Sequence, residues 1–258
     1  MLVKIDDITP EQVASICDHT FLNRSEAYKE ESKKLGQSAV MLRRNAFIAF
    51  LNETLEGKLT PFAVCVRPED VSFTGYEIST HKKSNIKIAS VVGFPDGSWY
   101  DTSMKLNELR LASENFADEV DFVLNYIQFK DRKLKYEAAS EIASLSHEAK
   151  ELVLLSKMIL ETSELNADEI KYACQLADEQ GIDFVKTSTG FSAYGAREED
   201  LRIMRQNFSR GVKISGGVTV DNYKSLLKAA SGRDDGYIDL DPMKIRIGES
   251  GLLTKLAA

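Results

Sequence analysis

Cysteine is scarce and unpaired in this sequence. Cys17, Cys65 and Cys174 are an odd set, with no C-x-x-C pair and no histidine at metal-ligand spacing. That excludes a disulfide scaffold and a structural zinc site, and it fits a reducing, cytoplasmic compartment. Long apolar runs are missing as well: nothing approaches the roughly 18 uninterrupted apolar residues of a membrane span. The opening MLVKIDDITPEQV carries aspartates where a secretion signal is apolar, so neither membrane nor export is expected. Positive charge is in deficit, with 33 Lys plus Arg against 40 Asp plus Glu and a net charge of −7. A chain that lives on nucleic-acid phosphates needs the opposite balance, so no nucleic-acid partner is expected. There is no G-x-G-x-x-G turn, Walker loop, nucleophile elbow or H-E-x-x-H helix, so dinucleotide binding, P-loop phosphoryl transfer, serine hydrolysis and zinc proteolysis lack their parts.

What is present is a recurring short apolar run rich in Val, Ile and Phe: ICDHTF (16–21), FAVCV (62–66), IKIASVV (86–92), EVDFVL (119–124), LVLLSKMIL (152–160), DFVKTS (183–188), VKIS (212–215) and KIRIG (244–248). Between them lie charged segments such as MKLNELRLASENF and KLKYEAASEIASLSHEAK, apolar at three- and four-residue spacing, as amphipathic helices require. Strand alternating with helix implies right-handed parallel crossovers, and strands apolar on both faces suit a closed barrel clad in helices. The expected fold is α/β, a (β/α)₈ TIM barrel forming one domain over residues 1–258. An open doubly wound sheet is the alternative, without its glycine fingerprint. Thr9-Pro10-x-Gln12 has the form of a capping box with proline at the first helical position. Residues 25–57 exceed an ordinary crossover and read as additional N-terminal helices broken near Gly36. They serve either as a layer over one barrel end or, through the apolar AVMLRRNAFIAFL face, as a homo-oligomer contact.

Three strands carry a lysine among apolar neighbours: Lys157, Lys186 and Lys213. A fourth carries Asp121. Each has a plain structural explanation, as a snorkelling stem, a loop cap or a packing partner. Together they sit on four consecutive strands, whose inward side chains converge at the barrel mouth. A lysine can attack a carbonyl only as the neutral amine, and neighbouring cations with apolar walls favour that form. The Schiff base so formed is an electron sink for C–C cleavage, with Asp121 placed to relay protons. His19, beside Asp18 in the first run, reads as a packed side chain, and His81 and His147 lie in polar segments. Gly216-Gly217 after the seventh run and Gly248-Glu249-Ser250-Gly251 after the eighth offer bare amides at the place where barrels hold phosphate. Thr187-Ser188-Thr189-Gly190 adds hydroxyls and a further turn.

The segments DHTFL (18–22), AVCVRPEDV (63–71), ASVVGFPDG (89–97), DEVDFVLNY (118–126), KMILETSEL (157–165), DFVKTSTGF (183–191), KISGGV (213–218) and RIGESG (246–251) resemble, in order, the motifs of the DeoC family of class I aldolases. The resemblance implies reversible cleavage of 2-deoxy-D-ribose 5-phosphate to D-glyceraldehyde 3-phosphate and acetaldehyde through a lysine Schiff base, in nucleoside breakdown, without metal or organic cofactor. By motif, Lys186 would form the Schiff base and Lys213 would lower its pKa. Asp121 would relay protons with a water, and Lys157 would orient that carboxylate. Asp18, Cys65 and Thr187 would line the substrate pocket, and Gly190, Gly216, Gly217, Gly248 and Ser250 would cradle the phosphate. Three departures stand out: Thr219 where the family often has a basic residue, Glu249 and Gly251 in the final turn, and the long 25–57 segment. Turned inward, Glu249 would repel a phosphate; turned to solvent, it would only favour the helix start. The alternatives are a related Schiff-base aldolase with a different acceptor aldehyde, and a catalytically silent sugar-phosphate-binding barrel.

Overall fold

All eight apolar runs become staves of one closed parallel barrel in the computed structural model, which describes residues 2–258. In chain order the strands are β1 (Leu2–Lys4), β2 (Cys17–Thr20), β3 (Ala63–Val66), β4 (Lys87–Val92), β5 (Glu119–Val123), β6 (Leu155–Ile159), β7 (Phe184–Lys186), β8 (Gly211–Ser215), β9 (Tyr237–Asp239) and β10 (Ile245–Glu249). The barrel runs β10-β2-β3-β4-β5-β6-β7-β8 and closes on itself, with helices between successive strands. The open-sheet alternative is thereby set aside. The strands are shorter than the runs that announced them. Residues 152–154 precede β6 as a turn, with Val153 at φ 57°, and the same apolar letters serve turn and strand.

Side chains alternate along each strand, so each stave feeds two compartments. Outward residues such as Val64, Val120, Phe122, Met158, Val185, Val212 and Ile247 pack with the helices into the main core. Burying each such side chain contributes roughly 1.5–3 kcal/mol. Inward, Cys65, Ala89, Val91, Val123 and Ile159 join Leu22 and Phe94 in a separate small cluster under the mouth. The barrel interior also holds the charged side chains of Asp18, Glu119, Asp121, Lys157, Lys186, Lys213 and Arg246, with the ring of Phe184 beside Arg246.

The 25–57 segment forms a turn at Ser25–Tyr28, a short helix Lys29–Leu35 and a long helix Ala39–Glu56. Gly36 ends the short helix at φ 64°, a left-handed conformation that glycine adopts without a Cβ penalty. The long helix buries Leu42, Phe47, Phe50, Leu51 and Leu55. Its Arg43 binds Asp70 and lies over the rings of Phe21 and Phe47, 5.3 and 5.2 Å from their centroids. This is a layer packed across the β2–β3 side of the barrel. The expected capping box at Thr9 and Gln12 is formed. The small antiparallel sheet of β1 with β9 is not visible in the sequence, because three-residue strands are too short to show a period.

Candidate active site

The parallel registers bring the charged side chains of the sequence together before any loop is considered. Asp121 of β5 lies opposite Lys157 of β6, and Lys186 of β7 lies opposite Lys213 of β8. Their side chains meet inside the barrel. Lys157 Nζ donates to Asp121 Oδ1 at 2.7 Å and lies 2.6 Å from Glu119 Oε2. Lys186 Nζ donates to Asp121 Oδ2 at 2.9 Å, and Lys213 Nζ donates to the same oxygen at 2.8 Å. Lys213 also binds Asp18, whose other oxygen accepts from Arg246 Nη1 at 2.6 Å. Arg246 reaches on to Glu119 at 2.8 Å and lies over the Phe62 ring, 3.8 Å from its centroid.

This network is fully buried, and its charges hold one another. Burial alone would raise Asp121, but the ammonium groups of Lys157, Lys186 and Lys213 outweigh it and keep the carboxyl well below its usual range. Burial would likewise depress Lys213, yet Asp121 and Asp18 carry it above the ordinary lysine value. Lys157 is raised by Asp121 and Glu119 in the same way, against its own desolvation. Three carboxylates, Asp18, Glu119 and Asp121, face four cations, Lys157, Lys186, Lys213 and Arg246. One cation is in excess.

Above the network opens a cavity of about 720 Å³ at the C-terminal ends of the strands, the end at which barrel enzymes work. Lys186 lies on its wall, whereas Lys157, Lys213 and Asp121 lie behind it. Gly190, Gly216, Gly217, Gly248 and Ser250 line the same cavity. A second cavity of about 420 Å³, bordered by Asp183, Arg205, Arg210 and Lys244, sits under the N-terminal ends of the strands, away from the lysines.

The family model of the DeoC/LacD family aldolases matches residues 14–240. The chain belongs to this family. A deoxyribose-phosphate aldolase of Thermococcus gammatolerans is 41% identical over 67% of this chain and 76% of its own length. That of Clostridium tetani is 37% identical over 84% of this chain and 89% of its own. Among solved structures, a candidate deoxyribose-phosphate aldolase from Coccidioides immitis superposes with a TM-score of 0.73 at 28% identity, covering 96% of this chain and 87% of that one. The protein is thus an aldolase.

Other residues singled out in the sequence of this aldolase fall in two groups. Asp18 and Cys65 are buried behind the cavity wall, Asp18 in the ion network and Cys65 with Sγ 4.0 Å from Asp121 Oδ2. Thr187 is spent on structure: its hydroxyl donates to the Ser215 carbonyl at 2.8 Å and accepts from the Ser215 amide at 2.9 Å, stitching the ends of β7 and β8. His19 is buried and stacked on Phe50, with centroids 4.5 Å apart, and also meets the cavity. Thr219 lies outside the cavity lining, with its amide on Asn222. Glu249 is not turned to solvent: its side chain is fully buried, one oxygen resting on the amides of the last helix and the other 2.6 Å from His19 Nδ1.

Sequence reasoning missed several wall residues. Phe21, Leu22 and Asn23 follow β2, Phe50 and Glu53 come from the long helix, and Phe191 comes from the loop after β7. The apolar face of the 25–57 segment was the available signal for the helix. Glu161 was also missed: at φ 55° it turns its carboxylate to the Thr189 amide at 3.1 Å and to the Thr189 hydroxyl. It braces the loop that carries Gly190.

Proposed function

We propose that this aldolase cleaves 2-deoxy-D-ribose 5-phosphate reversibly to D-glyceraldehyde 3-phosphate and acetaldehyde through a Schiff base on Lys186. The carrying observation is that Lys186, of the three lysines in the ion network, is the one on the cavity wall. The charge count supports it: with Lys186 as a free amine, the remaining three cations balance the three carboxylates. Neutrality is the cheaper state of a dry interior. Lys157 and Lys213 each hold two carboxylates and are fixed as ammonium groups.

In this reading the Lys186 amine adds to C1 of the open-chain sugar, and loss of water gives the protonated imine. Removal of the proton from the C3 hydroxyl sends the C2–C3 bonding pair into the imine, releasing glyceraldehyde 3-phosphate and leaving an enamine. Protonation at C2 and hydrolysis release acetaldehyde and restore the amine. Asp121, within 2.9 Å of Lys186 Nζ, is the group placed to pass these protons. Lys157 fixes its other oxygen. The small apolar cluster of Leu22, Cys65, Ala89, Val91, Val123 and Ile159 backs the mouth beside the two-carbon fragment, with Leu22 on the cavity wall. The amides of Gly190, Gly216, Gly217 and Gly248 and the hydroxyl of Ser250 would hold the other end. Among the described residues no helix is long and apolar enough to cross a membrane.

The test is incubation with acetaldehyde and borohydride, followed by peptide mapping. A reduced adduct on Lys186, absent from Lys186→Ala, is expected. An adduct confined to another lysine, or turnover by folded Lys186→Ala, overturns the assignment.

A further inference from the structure

Glu249 closes β10 with its side chain wholly buried against the cavity wall. One carboxylate oxygen accepts from three successive backbone amides that open the terminal helix, Gly251 at 2.8 Å, Leu252 at 2.6 Å and Leu253 at 3.3 Å. The other lies 2.6 Å from His19 Nδ1. These amides follow the eighth stave, where barrels commonly receive a substrate phosphate on the start of a short extra helix. Here that position is filled from within by an anion of the chain itself. A second carboxylate, Glu53, stands on the same cavity wall. Against them the wall offers one lysine, Lys186, which the chemistry consumes, and no arginine.

We propose that Glu249 sets the acceptor preference of this aldolase, so that an aldehyde ending in a neutral hydroxyl competes with its phosphorylated counterpart. The inference rests on Schiff-base chemistry at Lys186 and concerns only the far end of the substrate. A dianionic phosphate arriving beside Glu249 finds the helix amides engaged and a like charge within the same cavity, whereas a hydroxyl loses little in either respect. His19 acts as a positioning residue: stacked on Phe50 and bonded to the second carboxylate oxygen, it keeps Glu249 turned onto the amides.

The experiment compares kcat/KM for 2-deoxyribose 5-phosphate and for free 2-deoxyribose on the same preparations of the full chain, wild type, Glu249→Ser and Glu249→Gln. Their ratio is independent of the fraction of active enzyme. A site built around a bound polar group rejects the analogue lacking it by about 10⁴-fold or more, so a wild-type ratio below about 10³ is expected. Glu249→Ser, which frees the amides, should raise the ratio at least threefold. The isosteric Glu249→Gln, which removes the charge alone, should move it in the same direction and guards against a poorly folded serine variant. A wild-type ratio above about 10³, or ratios in both variants within threefold of the wild type, overturns the proposal. Borohydride trapping of acetaldehyde uses no acceptor end and separates the two readings. An adduct on Lys186 with unmoved ratios sinks only the role of Glu249, and a missing adduct sinks both.

Discussion

Asp121 and Lys213 meet across the barrel interior, 2.8 Å apart, although β5 and β8 are separated by two intervening strands. The contact ties opposite walls and sets the charge felt by Lys186. Lys213→Met therefore has two expected consequences. Breaking one partner out of a buried pair should cost about 3–5 kcal/mol in denaturant unfolding. It also leaves Lys186 as a required counter-ion for Asp121, so the amine is held as an ammonium. We expect kcat to fall by about 10²-fold or more at neutral pH and to recover as pH rises. A variant with a wild-type pH profile would contradict the charge-balance argument.

The ion network fixes where stability depends on pH. Asp121 and Asp18 titrate lower in the folded protein than in the unfolded chain, because lysine and arginine cations outweigh their burial. Their contribution is present above the unfolded value of about 3.9 and fades as pH falls through the folded values. Lys157 and Lys213 are raised, so theirs is whole below about 10.4 and fades only as pH climbs through the folded values. Thermal melts should show this cluster contributing a plateau between roughly pH 5 and pH 9. In Asp121→Asn the acid limb of the melt should shrink.

Glu161 holds the Thr189 amide and hydroxyl from a left-handed backbone position. Glu161→Ala should free the loop that presents Gly190. We expect KM to rise about tenfold, the equivalent of about 1.4 kcal/mol for lost hydrogen bonds, with a smaller change in kcat. An effect on kcat alone would place Glu161 in the chemistry instead.

Gly195 packs so closely on the loop after β8 that an added Cβ would stand 2.1 Å from the Gly216 carbonyl oxygen. Gly195→Ala should push the two loops apart, costing about 1–3 kcal/mol of stability as overpacking does and raising KM. Thermal melts and initial rates check both.

The charged interior was legible because a lysine or aspartate inside an apolar run is costly, and its cost is written in the letters LSKMI, DFVKT, VKIS and EVDFV. Parallel register did the rest, since adjacent staves place Asp121 by Lys157 and Lys186 by Lys213. The rim was far less legible. Phe50 and Glu53 reach the cavity from a helix whose apolar face has several plausible partners, and periodicity says which face is covered but not by what. Glu249 had two sensible directions in the sequence. The bend of the chain at Gly251 brings the amides of the terminal helix within reach of the buried Glu249 carboxylate.

The seam of the barrel lies between β2 and β10, with Asp18 paired to Gly248 and Asp18 bonded to Lys213 and Arg246. These partners are joined across most of the chain. During synthesis β2 emerges early and must wait, with one edge unpaired and Asp18 unneutralised, until residues 211–249 have followed. Contacts so distant in sequence close slowly, because loop entropy is surrendered before they repay it. The nascent chain thus passes through an interval in which an open sheet edge and a stranded carboxylate sit side by side. That charge, awkward as it is in the finished interior, guards the waiting edge against pairing with another chain.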